Sequence, residues 1–260
     1  MRIALAIEYA GDGFCGWQSQ SSGCGVQDAL ERALGEIAGE MITTNAAGRT
    51  DAGVHATSQI VHFDTGKARP TSAWVRGVNT LLPATASVLW ARPVADDFHA
   101  RFAATARHYT YWMLVRAERP ALLGRRVGWY HAPLDIEAMR IAAAQLAGTH
   151  DFSAFRAAEC QAKSPVKTLN HVDVGVKGPL IRFDFSADAF LHHMLRNIVG
   201  SLIYVGANKH PPAWIAELLA ARDRTRSAPT FAADGLYLVG ADYPTRFDLP
   251  DTRRDVLLLH

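Results

Sequence analysis

The chain has 260 residues, of which 49% are hydrophobic and 20% charged, so it can bury a substantial core and is not a disordered polymer. That length suits one large domain or two small ones, with two favoured by size, and no apolar run is long enough to span a bilayer. A net charge of +2 does not by itself point to a nucleic-acid partner. Met1-Arg2-Ile3 leads straight into an apolar strand pattern without the core of a signal peptide, and the three cysteines, Cys15, Cys24 and Cys160, show no Cys-x-x-Cys spacing. This argues against a disulfide framework and a thiolate metal site, and a reducing cytoplasm is the expected compartment.

In chain order, Ile3–Tyr9 reads as a strand and Gly11-Asp12-Gly13 breaks it into a loop. Val26, Leu30, Ala33, Leu34 and Ile37 recur at helical spacing beside a polar face of Gln27, Asp28, Glu31 and Arg32. A strand through Met41–Ala47 follows, then a second over Ile60–Asp64, a short helix over Trp74–Leu82 and a strand over Val88–Val94. The first hundred residues thus predict β-α-β-β-α-β, a split-βαβ arrangement. The second half predicts a strand at Arg107–Val115, a helix at Ile136–Leu146, and strands at Leu169–Val176 and Leu180–Phe185. A buried helix over Phe190–Val205, a helix opened by Pro211-Pro212, and a last strand at Gly235–Val239 complete it. The fold class expected is α+β. Two ferredoxin-like (split βαβ) halves form a mixed, mostly antiparallel sheet flanked by helices, with an active-site cleft between the halves. Residues 1–103 form an N-terminal subdomain, 104–243 a C-terminal subdomain, and 244–260 a tail.

One stretch concentrates possible chemistry: Gly48-Arg49-Thr50-Asp51-Ala52-Gly53-Val54-His55-Ala56. It sets the Asp51 carboxylate two residues from a guanidinium, among small residues that leave room for another molecule. Gly53 permits backbone angles that a side chain would forbid. Read locally, the stretch suits either an Asx-type turn or a reactive carboxylate on a strand-anchored loop.

Further segments are equally two-sided. The segment Tyr9–Gln20, with Trp17 and Gln18, is either an ordinary turn or a substrate-contacting loop; it lacks the Gly-Lys-Ser/Thr of a phosphate-binding loop. Arg107, Tyr109 and Tyr111 share one face of a strand, which suits a stacked base and its phosphate, or simply a sheet. His150, His192, His193 and His55 invite a metal reading, but adjacent His192 and His193 would point apart on a helix, so no metal site is expected. Arg196 lies in an apolar helical stretch and needs a carboxylate partner: Asp51, or a structural acid such as Asp188 or Asp234. Of the 27 basic residues, 22 are arginine, clustered at 92–126 and at 222–226, and arginine suits phosphate through its planar fork. Such clusters are also ordinary solvated surface.

Arg49-Thr50-Asp51-Ala52-Gly53-Val54-His55 closely resembles the catalytic motif of the TruA family of tRNA pseudouridine synthases. Gly16-Trp17-Gln18, Arg107–Tyr111, His150-Asp151-Phe152, Phe190-Leu191 with Met194 and Arg196, and Gly235-Leu236-Tyr237 resemble its further blocks in the same order. The likeness runs from about Ile3 to Asp242. Ala10 stands where the family usually has an aspartate and Leu195 where a β-branched residue is common, and neither touches the proposed chemistry. The resemblance implies isomerisation of uridine to pseudouridine in the tRNA anticodon arm at positions 38, 39 or 40, by a homodimer, with no metal or organic cofactor. It implies Asp51 as catalytic aspartate, Tyr109 stacking on the target uracil, Arg196 pairing with Asp51, and Arg49 holding or displacing the flipped nucleotide. A non-catalytic tRNA-binding or folding module on the same scaffold is the alternative, and a metal-dependent hydrolase using the histidines a third.

Overall fold

A computed structural model describes residues 1–250 and 252–256. The chain forms two compact units: Met1–His108 with 237–260, and Tyr109–Leu236.

In the first unit, β1 (Arg2–Tyr9), α1 (Val26–Ala38), β2 (Thr44–Ala46), β3 (His55–Asp64), a π-turn at Ala73–Gly77 running into α2 (Val78–Leu81), and β4 (Ala86–Val94) follow the expected β-α-β-β-α-β order. β1 lies between β4 and β3, antiparallel to both, with Ile3 opposite Phe63 and Ala6 opposite Ile60. The ten-residue β3 shares its other edge. Its C-terminal half pairs antiparallel with β2, and His55 and Ala56 pair in parallel with Tyr237 and Leu238 of β10 (Leu236–Asp242).

Alternation along β1 and β3 gives the sheet two buried faces. Phe63 meets Trp74 of the π-turn edge-on at 5.2 Å. Ala4, Ala6 and Ile60 instead pack with Phe98, Ala100, Ala241 and Phe247. Phe247 belongs to the segment read from sequence as a tail, so that reading is corrected: Phe247 is buried in this core and Leu249 packs against it. The last strand likewise belongs with the first unit, because β10 pairs with β3, whereas the sequence reading carries the second subdomain to residue 243. Cys15 and Cys24 form a disulfide, Cα–Cα 5.4 Å, which corrects the sequence reading against a disulfide framework.

β5 (Ala106–Val115) leads into the second unit, which adds β6 (Gly128–Tyr130), α3 (Ile136–Ala144), β7 (Gly148–Asp151), β8 (Val166–Lys177), β9 (Leu180–Ala187), α4 (Met194–Gly206) and α5 (Trp214–Ala221). The strand order is β5-β9-β8-β7, with β6 parallel to β5 and the β7–β8–β9 ladder antiparallel. Helices α3, α4 and α5 pack on one another, and α3 also packs on β8. The Asp135 side chain caps α3 by accepting from Ala138 N at 2.9 Å. In each unit the sheet is mixed, mostly antiparallel and flanked by helices, as the sequence predicts. α4 starts four residues later than its apolar pattern suggests. His193 takes a left-handed φ of +60°, so Phe190 and Leu191 belong to the preceding turn.

Candidate active site

Asp51 sits in a turn closed main chain to main chain, Val54 N–H donating to Asp51 O at 3.1 Å. Gly53 has φ +81°, the angle for which the sequence singled it out. Thr50 is buried and its hydroxyl meets the buried Tyr9 hydroxyl at 2.8 Å, while Arg49 and Ala52 are exposed and Asp51 is half-buried. Buried Thr50 therefore anchors the turn from below, between the exposed Arg49 and the half-buried Asp51.

The loop Gly11–Gln20 supports this turn from behind. Trp17 N–H donates to Thr50 O at 2.9 Å, and Gly11 N–H donates to His55 Nδ1 at 3.0 Å. A Cβ on Gly11 would fall 2.0 Å from Val54 O, so only glycine lets the backbones meet. Trp17 is buried, which makes it part of this brace. Gln59 Nε2 adds a bond to Gly48 O at 2.6 Å, so both arms of the motif are held by the sheet. His55 is buried and stacks on Tyr237 at 4.7 Å.

Arg107 does not present its charge to solvent as a phosphate fork would. Its Nε and Nη2 donate to Ala47 O at 3.2 and 3.1 Å, and Nη1 to Ala104 O at 3.2 Å. Arg92 similarly pairs with Asp248. These members of the central arginine cluster are structural.

Within the second unit, Tyr109 is buried and meets Phe190 edge-to-face at 5.1 Å. Tyr111, on the same strand face, is fully buried and donates to Ala232 O at 2.9 Å, so it is a core residue. Arg196 is half-buried on the first turn of α4. Its Nε donates to Phe231 O at 2.8 Å while its own carbonyl accepts from Phe231 N at 3.2 Å. The same helix carries Asn197, whose Oδ1 accepts from Arg224 at 3.0 Å and from Thr230 at 2.7 Å. Arg224 also reaches Ser227 and Ala228, and burial pulls its pKa down, so it too is structural.

The histidine argument from sequence needs correction in one respect. His192 and His193 do not point apart: their rings lie 4.0 Å from one another, because the left-handed His193 precedes the helix rather than lying in it. Asp151, of the His150-Asp151-Phe152 block, caps the turn Ser153–Phe155 by accepting from Ser153 N at 2.9 Å. Sequence reading missed Phe190 as the neighbour of Tyr109 and Tyr9 as the support of Thr50. Both contacts join residues far apart in the chain, and nothing in either local pattern points to them.

A family model described as tRNA pseudouridine synthase matches residues 5–103 and 142–244, more than half of the chain. The chain belongs to the tRNA pseudouridine synthase family and is thereby an isomerase. Curated relatives include tRNA pseudouridine synthase A of Chromobacterium violaceum, 62% identical over 251 residues covering 96% of both chains. The enzymes of the same name from Thiobacillus denitrificans and Methylobacillus flagellatus are 60% and 58% identical, covering 97% and 98% of this chain and 97% of each relative. Among solved structures, an H/ACA ribonucleoprotein bound to a substrate RNA containing 2′-deoxyuridine matches with 10% identity and a TM-score of 0.37. The match covers 77% of this chain and 44% of that one, and is too distant to argue from.

Proposed function

We propose that this chain converts uridine to pseudouridine in the anticodon arm of cytoplasmic tRNA, at positions 38, 39 or 40, with Asp51 as the catalytic carboxylate. The observation that carries the reading is the Asp51 turn: a half-buried carboxylate whose backbone is fixed by Trp17, Gly11 and Gln59. A rigid support of that kind suits a group that must meet a reacting atom in one geometry.

The reaction breaks the bond from uracil N1 to ribose C1′, turns the base, and joins C5 to C1′; the C5 proton leaves and N1 gains one, so nothing is oxidised or reduced. Asp51 supplies the nucleophile or base for this sequence. Tyr109 stacks on the uracil, Arg196 pairs with Asp51, and exposed Arg49 holds the flipped nucleotide by its backbone. The target must leave its stack before Asp51 can reach it, which is why exposed Arg49 next to a half-buried acid is the useful order. The reading calls for no metal or organic cofactor, and the working form is a homodimer.

The test is incubation with unmodified tRNA transcript and mapping of pseudouridine. Product is expected in the anticodon arm with wild-type enzyme, and none with Asp51→Ala, while tRNA affinity stays within a few-fold. Isomerisation by purified Asp51→Ala sinks the assignment of Asp51; product outside the arm sinks the specificity. Binding without product in the wild type favours the non-catalytic module.

A further inference from the structure

Phe102 is 76% exposed, and the loop that carries it is held from many sides. Phe98 O accepts from Arg2 Nη1 at 2.8 Å, and Ala100 N–H donates to His62 Nδ1 at 3.1 Å. Ala100 O accepts from the Tyr243 hydroxyl at 2.6 Å, and Arg101 O accepts from the Arg107 guanidinium. The N–H groups of Arg101 and Phe102 both donate to His99 Nδ1, at 3.1 and 3.3 Å. Three side chains from distant parts of the sequence, and the nearby Arg107, thus converge on five residues of loop.

A single exposed apolar residue is ordinary on a protein surface. This ring differs in what surrounds it. The His99 imidazole lies against it, centroids 4.3 Å apart and planes 35° from one another. The Arg101 guanidinium stands 5.6 Å from the ring centroid and is itself exposed. The imidazole accepts hydrogen bonds through Nδ1, as a neutral ring does, and burial together with Arg2 and Arg101 lowers its pKa. The result is an aromatic pair on a fixed backbone, with the Arg101 cation over the Phe102 ring. Unpaired bases stack on such surfaces, and an adjacent arginine meets their phosphates.

We propose that Phe102, backed by His99 and flanked by Arg101, is a stacking site for one unpaired nucleobase of the RNA substrate, with Arg101 on that nucleotide's phosphate. The inference rests on the tRNA reading above. Arg107 links the site to the chemistry. The same guanidinium that holds Arg101 O also bonds Ala47 O, two residues before the Arg49–His55 motif begins. A base seated on Phe102 is therefore held in fixed register with the chain entering the Asp51 turn.

The test measures affinity for an unmodified tRNA transcript and pseudouridine yield side by side. Phe102→Ala should weaken binding by about 5- to 100-fold, the range for losing one stacked base. Phe102→Trp should bind as the wild type does, and the melting temperature should not move, since the side chain is exposed. In a scan of single abasic sites through the anticodon loop, one position should weaken the wild type but not Phe102→Ala. Arg101→Ala should lower the slope of log affinity against log salt by about one. Equal affinity for Phe102→Ala and wild type overturns the site while the pseudouridine reading stands on wild-type product. Wild-type binding without product fails that reading and leaves the site to be judged on affinity; no binding of tRNA by the wild type overturns both. A change of oligomeric state in Phe102→Ala, with affinity per subunit unchanged, identifies a protein contact and overturns the site.

Discussion

Gly16 and Asp51 are in backbone contact: a Cβ built on Gly16 would stand 3.2 Å from the Asp51 carbonyl carbon, 3.1 Å from Ala52 N and 2.9 Å from Thr50 O. Gly16 also has φ +98°, an angle that a residue with a side chain rarely adopts. Gly16→Ala therefore has no relaxed solution except to push the Asp51 turn away. The strain alone should cost about 1–3 kcal/mol. Because the displaced atoms are those that aim the Asp51 carboxylate, the loss should fall on turnover more than on tRNA affinity. Under the role proposed for Asp51, kcat should drop at least tenfold with KM nearly unchanged, because small misplacements of a catalytic group are expensive. Unchanged kcat in a folded Gly16→Ala protein would show that the contact does not govern the turn.

The same loop is closed by the Cys15–Cys24 disulfide, and Cys15 N–H also donates to Cys24 O at 3.0 Å. Cys15 is exposed, so external thiols can reach the bond. Closing a loop of this length should stabilise the folded protein by about 2–3 kcal/mol through the unfolded chain. Adding reductant to the air-oxidised protein should lower its melting temperature by several degrees. Cys15→Ser should melt at the reduced value with or without reductant. A wild-type melting curve indifferent to reductant excludes a stabilising disulfide.

What the sequence reveals and what it hides follows from the range of the interactions. The helical spacing of Val26, Leu30, Ala33 and Leu34 marks α1 nearly to the residue, since all four are buried on one face. The left-handed turn at Gly53 is legible because only a local angle is involved. β3 begins five residues before its apolar run, because buried Ser58 and Gln59 mask the pattern. Strands of three or four residues, β6 and β7, are too short to show a period. Tyr111 illustrates the same limit at the site. Alternation correctly puts it on one face with Tyr109, but only the tertiary structure shows that its hydroxyl reaches Ala232 O in the core. The close approach of Gly16 to the Asp51 turn joins segments 35 residues apart, and composition carries no trace of it.

His62 makes stability depend on pH in a defined direction. It is buried in β3, its Nδ1 accepts from Ala100 N–H at 3.1 Å, and its ring meets those of Phe98 and His99. Burial lowers its pKa to about 4 from 6.5, helped by the nearby positive charge of Arg2 and by His99, with Asp64 opposing. The folded state thus favours the neutral ring. Above about pH 6.5 the ring is neutral in both folded and unfolded chains, and the full stability is present. As pH falls from 6.5 towards 4 the unfolded chain takes up a proton that the folded chain refuses, and stability declines. The window lies above that of the carboxylates held low, such as Asp64 beside Arg2, which lose their contribution only in stronger acid. His62→Asn keeps an acceptor for Ala100 N–H but cannot titrate. Urea unfolding at pH 7, 6 and 5 should show stability falling with pH in the wild type and a shallower fall in His62→Asn. The residual slope should come in part from His99, whose pKa is also lowered by burial and by Arg2 and Arg101. Parallel slopes for the two proteins would remove His62 as the source.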